Sequence, residues 1–159
     1  MMNFFRNFYL GLNAIGSFIQ PFLLLALRLY WGTSFFLAGL GKLQNIPHVA
    51  GFFENLHIPF PVFNAYVVSF FECVGGFCLL IGLGARLMAI PLSVIMITAL
   101  LTSAQDALLM AVENPHELIN QTPFSYLLVC LIILAFGAGL FSIDYLIEKF
   151  VLRTGKRQN

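Results

Sequence analysis

Charge is what this chain has least of. Asp, Glu, Lys and Arg together account for 9% of its residues, against roughly 25% in soluble domains. Apolar residues make up 60%, Phe alone occurs 18 times in 159 residues, and mean hydropathy is +0.90. A water-soluble fold of this size is excluded, because small domains leave much of their surface exposed. The net charge of +1 and the lack of a basic run in the body of the chain give a nucleic-acid partner nothing to hold. Cysteine is scarce too. Cys73, Cys78 and Cys130 are odd in number, lie in apolar stretches and form no CxxC, which favours buried thiols over a redox relay. No Gly-rich phosphate loop and no GxSxG occurs, and His116-Glu117-Leu118-Ile119-Asn120 lacks the second His of HExxH, so nucleotide, hydrolase and zinc-protease chemistry have no foothold. His48, Glu54, His57 and His116 match no ligand signature, and no metal is expected.

What the chain does have is long apolar runs. Segments of about 21–43, 62–83, 86–106 and 123–143 each approach the roughly 20 helical residues that cross a bilayer. The expected fold class is all-α: a transmembrane four-helix bundle preceded by an interfacial amphipathic helix. Pro21, Pro61 and Pro123 fall at or beside three of the starts, where a missing N–H does least harm. The turn Gly82-Leu83-Gly84-Ala85-Arg86 is so short that the spans it joins must be antiparallel neighbours.

Residues 1–20 read as the amphipathic segment. Arg6, Asn7, Asn13, Ser17 and Gln20 gather on one side of a helical wheel, with Phe8, Leu12, Ile15 and Phe18 on the rest, a pattern suited to the membrane interface. A cleavable signal peptide is the weaker alternative, because no unbroken apolar stretch precedes a small-residue site. Residues 21–148 form the four-helix domain and 149–159 a basic tail. With four spans, Arg6, Arg86, Lys149, Arg153, Lys156 and Arg157 share a side, and Lys42 stands alone on the other. That bias predicts a multi-pass protein of the bacterial inner membrane with both termini cytoplasmic.

Ionisable groups inside spans are expensive and so are pointers to function. Arg28 and Lys42 share one face of the first span with Gly32 and Gly39, and Glu72 lies in the second with Gly76. Arg28 is the expected partner of Glu72, either as a structural pin or as a proton- or ligand-handling site. Arg28, Glu72 and Lys42 are therefore the ligand-binding candidates. Lys42 and Asp106 approach the outer interface and are expected to pair or to snorkel. Arg86 and Asp144, with Asp106, are candidates for structural ion pairs at span ends.

Several of these landmarks recur in order: Arg28-Leu29, Gly39-Leu40-Gly41-Lys42-Leu43, Phe52 with Pro59-Phe60-Pro61, Glu72 with Gly75-Gly76, the 82–86 turn, and Gly137-Ala138-Gly139-Leu140-Phe141-Ser142-Ile143-Asp144. Over about residues 24–148 the chain resembles the DoxX family of small bacterial membrane proteins. The resemblance implies a four-helix membrane fold and a link to quinone-dependent oxidoreductases and oxidative-stress complexes. It transfers no catalytic residues.

Three functions follow in order. The first is a quinone- or lipid-binding subunit of a membrane redox complex. With no haem ligand pair, flavin site or iron–sulfur site in the sequence, any enzymatic role would be as part of a quinone-linked oxidoreductase complex, with quinone the conceivable cofactor. The second is a non-catalytic scaffold or assembly factor, and the third a small oligomeric transporter. The expected partners are membrane lipids, a protein of a redox complex and further copies of the chain, with no nucleic acid.

Overall fold

The computed structural model describes residues 2–110 and 113–152, and among them the chain is helical with no strand. Eight α-helices follow one another: α1 Met2–Gln44, α2 Ile46–Asn55, α3 Pro61–Ile81, α4 Ala85–Thr102, α5 Gln105–Leu109, α6 Pro115–Ile119, α7 Thr122–Phe136 and α8 Ile143–Ile147. A π-helical turn, Glu148–Leu152, continues α8. Three helices are long and apolar enough to cross a membrane: Phe8–Gln44 within α1, then α3 and α4.

α1 differs from the expected division at residue 20. It has 43 residues with Pro21 inside, about 65 Å at 1.5 Å per residue. Pro21 removes one hydrogen bond, to the carbonyl of residue 17. Ser17 is exposed, so that carbonyl is open to other donors and the helix continues. Two regimes nevertheless remain within it. Residues 8–20 are exposed all round, whereas Leu24, Arg28, Gly32, Phe35 and Gly39 form a buried stripe at the three- and four-residue spacing of one helix face.

α1 packs on α3, α2 lies on α3, and α4 packs on α3 and α7. The α1–α3 contact is made by small residues. A Cβ on Gly39 would collide with the backbone of Cys73, and one on Gly76 with the backbone of Phe36. One on Gly32 would lie 2.8 Å from the amide nitrogen of Leu80. Such bare stretches let helices approach closely enough for van der Waals packing to hold them together in lipid. Phe35, Leu79, Leu92, Met96, Val129, Cys130 and Ile133 fill the main core, and Ile46, Val49, Ala50 and Ala65 a smaller one beneath α2. Phe63, Tyr66, Phe70, Val74 and Phe77 on α3, with Leu87, Ile90, Val94, Ile97 and Leu101 on α4, point outward, an apolar exterior that lipid accommodates and water does not.

The segment expected to span over 123–143 is helical only as far as Phe136, about 22 Å. Gly137 and Gly139 take positive φ, both +79°, where a side chain would be strained, and the chain runs non-helically to Ser142. Ser142 then caps α8, its Oγ accepting from the Tyr145 amide at 3.1 Å. The tail residues Arg153, Lys156 and Arg157 lie outside the described residues.

Candidate functional site

Antiparallel packing sets the depth of every buried charge. Gly32 abuts Leu80, Phe36 abuts Gly76 and Gly39 abuts Cys73, so each step forward along α1 is one step back along α3. That register puts Arg28 beside residue 84 and Glu72 beside residue 40, about 18 Å apart along the axis. The expected Arg28–Glu72 pair does not form. α1 runs well past the 82–86 turn, and Arg28 sits at the level of that turn, out of reach of Glu72.

Each of the two charges has found another solution. At the loop end of the α1–α3 contact, near the C-terminus of α1 and midway along α3, Lys42 Nζ donates to both Glu72 oxygens at 2.6 Å. Glu72 is only 2% exposed while the Lys42 side chain is 36% exposed. Lys42 therefore pairs with Glu72 and not with Asp106, because α1 lies against α3 while α5, which carries Asp106, extends from the end of α4. Asp106 is exposed on a polar depression of about 360 Å³ with Ser103, Asn114, Glu117 and Gln121. Beside Glu72, Ser69 is fully buried and donates to the Ala65 carbonyl at 2.6 Å.

At the turn end, Arg28 is 1% exposed and spends its guanidinium on backbone. Nε donates to the Leu79 carbonyl at 2.9 Å and Nη2 to Leu80 at 3.2 Å. Nη1 donates to Ala138 at 2.6 Å and Phe141 at 2.9 Å. The first two acceptors belong to the last turn of α3, whose carbonyls have no partner in their own helix. Leu83 and Gly82 amides take the carbonyls of Cys78 and Leu79 in the paired pattern of a left-handed helix end. Arg28 thus caps one helix and clamps the 137–142 segment, non-helical backbone of the kind tolerated near a bilayer when protein satisfies its polar groups.

Arg86 and Asp144 meet at the same end but do not pair. Asp144 accepts from the amides of Gly84 at 2.6 Å and Ala85 at 3.0 Å, capping the start of α4, where exposed N–H groups favour an anion. Its own amide donates to the Gly82 carbonyl at 2.9 Å. Arg86 is exposed, its Nη2 reaching the Ala135 carbonyl at 3.4 Å. Both were expected as ion-pair partners; the free amides of α4 outcompete Arg86 for the carboxylate.

A sequence model of the DoxX family matches residues 23–105, slightly more than half of the chain. The chain belongs to the DoxX family. The matched stretch of this DoxX-family protein holds Arg28, Lys42, Glu72 and Arg86, while Asp106 and Asp144 lie beyond it. The chain is also 33% identical over 78 residues to a protein of Bacillus subtilis (strain 168) named "Putative oxidoreductase CatD". That alignment covers 49% of this chain and 57% of the relative, so the chain spans little more than half the length of the curated relative it matches. No solved structure matches it.

Sequence reasoning missed the backbone half of the site. The carbonyls of Leu79, Leu80, Ala138 and Phe141 and the amides of Gly84 and Ala85 carry no side-chain signature. Two signals were present: Gly137 and Gly139 so close together that a helix end was due, and Ser142 placed to cap a new one. His48, Glu54, His57 and His116 are not gathered, since among the described residues no three His, Cys, Asp or Glu groups stand close enough to hold a metal.

Proposed function

We propose that this DoxX-family membrane protein is a four-span subunit of the bacterial inner membrane that gives a redox complex a binding contact for a quinone or similar lipid-soluble molecule. The four spans are α1, α3, α4 and α7, the last completed by the segment Arg28 clamps. Both termini and the 82–86 turn face the cytoplasm, as the basic residues favour. Residues 2–20 continue α1 beyond the 82–86 turn on that side.

The observation that carries the reading is the Lys42–Glu72 pair. Its carboxylate is buried, its ammonium is partly exposed, and two of three N–H donors are used. The third can meet a quinone carbonyl at the edge of the apolar phase. The oxidoreductase name of the Bacillus subtilis relative supports the redox setting, and electrons come from a partner or from the quinone. The test is mass spectrometry of small molecules retained by the protein in native-lipid particles, for wild type, Lys42→Met and Glu72→Gln. A quinone held by the wild type and lost from both folded variants is the expected result; its absence from all three sinks the reading.

A scaffold role is favoured by a different observation, the saturation of Arg28 by backbone. If the Lys42–Glu72 pair only holds helices together, replacing both residues with apolar ones restores partner assembly and activity. If the pair binds quinone, the same double variant folds and stays inactive.

A further inference from the structure

A groove lies at the opposite end from the Lys42–Glu72 pair and is used by nothing described so far. It is an open groove of about 640 Å³ between residues 17–24 of α1, the start of α4 and the 136–148 segment. Leu87, Phe136 and Leu140 line it with apolar surface, and Arg86 and Glu148 bring one charge of each sign. Among the described residues neither is in an ion pair, Arg86 making one long contact with the Ala135 carbonyl at 3.4 Å. Asp144 also borders the groove, but its two oxygens face the Gly84 and Ala85 amides. Gly137 is what lets Arg86 lie along the rim, since a Cβ there would sit 3.1 Å from Arg86 Nε.

Depth adds an independent constraint. By the α1–α3 register residue 28 is level with residue 84, so the α1 wall of the groove, residues 17–24, lies about 6–16 Å beyond the turn at which α3 ends and α4 begins. Two apolar helices stop at that height, so hydrocarbon gives way there to headgroups. An occupant at this level has an apolar body and a polar end, and the polar end must satisfy a cation and an anion together.

We infer that this groove holds one phospholipid with a zwitterionic, primary-amine headgroup, its phosphate on Arg86, its ammonium on Glu148 and an acyl chain along Leu87, Phe136 and Leu140. Guanidinium and phosphate form the stronger, charge-assisted contact. The ammonium N–H donors distinguish this headgroup from a quaternary one, which offers charge without hydrogen bonds. An anionic headgroup satisfies Arg86 and leaves Glu148 facing a like charge.

The test is native mass spectrometry of the full chain, delipidated in detergent and offered dioleoyl phosphatidylethanolamine, phosphatidylcholine or phosphatidylglycerol. One phosphatidylethanolamine should be retained, about tenfold more tightly than either of the others, the worth of one charge-assisted hydrogen bond. Glu148→Gln should erase the preference over phosphatidylcholine. Arg86→Gln should weaken all three lipids, and Ser17→Trp, which fills the groove without touching a charge, should abolish retention. Lys42→Met should change none of this, so the lipid site and the quinone reading fail separately. Phosphatidylglycerol binding as well as phosphatidylethanolamine, or Glu148→Gln or Ser17→Trp behaving as wild type, overturns the inference; should Arg86→Gln not fold, those last two variants decide.

Discussion

The two ends of the α1–α3 pair bury charge in different ways, and the difference determines what can be changed. At the turn end, Arg28 is held by four backbone carbonyls. At the loop end, Glu72 is held by one side chain, Lys42. Carbonyls belong to the chain itself and no substitution removes them, so Arg28 has no compensating partner. Lys42 and Glu72 are both side chains, and both can be replaced together. The turn end is a fixed joint, and the loop end is adjustable, half-open and better suited to exchanging contacts with a ligand.

The largest expected effect breaks the fixed joint. Arg28→Met takes the side-chain donor from the carbonyls of Leu80, Ala138 and Phe141, and one of two donors from Leu79, and should cost on the order of 3–5 kcal/mol. Unfolding in detergent followed by the fluorescence of Trp31, the single tryptophan, measures it. Stability close to wild type would mean that the clamp does not hold the turn end. Arg28→Lys keeps charge but not the fork of donors, and should recover only part of the loss.

Next comes the adjustable end. Lys42→Met strands a buried carboxylate and should cost about 3 kcal/mol. The double variant Lys42→Met/Glu72→Leu should return to within about 1 kcal/mol of wild type. A double variant no better than the single one would remove the contrast between the ends.

Between the two lies the close contact that sets their register. Gly39→Ala places a methyl against the Cys73 backbone and should cost about 1–3 kcal/mol. Gly41→Ala, which meets nothing within 4 Å, should be neutral or slightly stabilising by the same unfolding measurement. The smallest loss among the site variants is expected of Asp144→Asn, which keeps an acceptor for the Gly84 amide but loses the charge, at about 1 kcal/mol. A larger loss would show that Asp144 belongs to the fixed joint and not merely to the start of α4.

Composition and periodicity were enough for the membrane character, the helical class, three helices able to span and the buried stripe of α1. Arg28, Gly32, Phe35 and Gly39 share a face because a helix repeats every 3.6 residues, and that is local geometry. Partner choice was not legible. A wheel shows which way Arg28 and Glu72 face but contains no information about how far one helix slides along another, and Arg28 and Lys42, 14 residues apart on one face, differ by about 21 Å in depth. The end of α7 was concealed for a similar reason: residues 137–143 are apolar enough to continue a helix, and only the captured carbonyls of Ala138 and Phe141 reveal that they do not.

The sequence by itself determined the solvent, the helical class and which few residues are buried charges, since all three follow from composition and from spacing along one chain. Tertiary structure decided the pairings. The contact of Gly39 with Cys73 and of Gly32 with Leu80 sets the axial register of α1 on α3, and that register alone places Lys42 against Glu72 and Arg28 against backbone. Charges in an apolar phase take whatever partner lies within reach, and reach is a property of the packed helices.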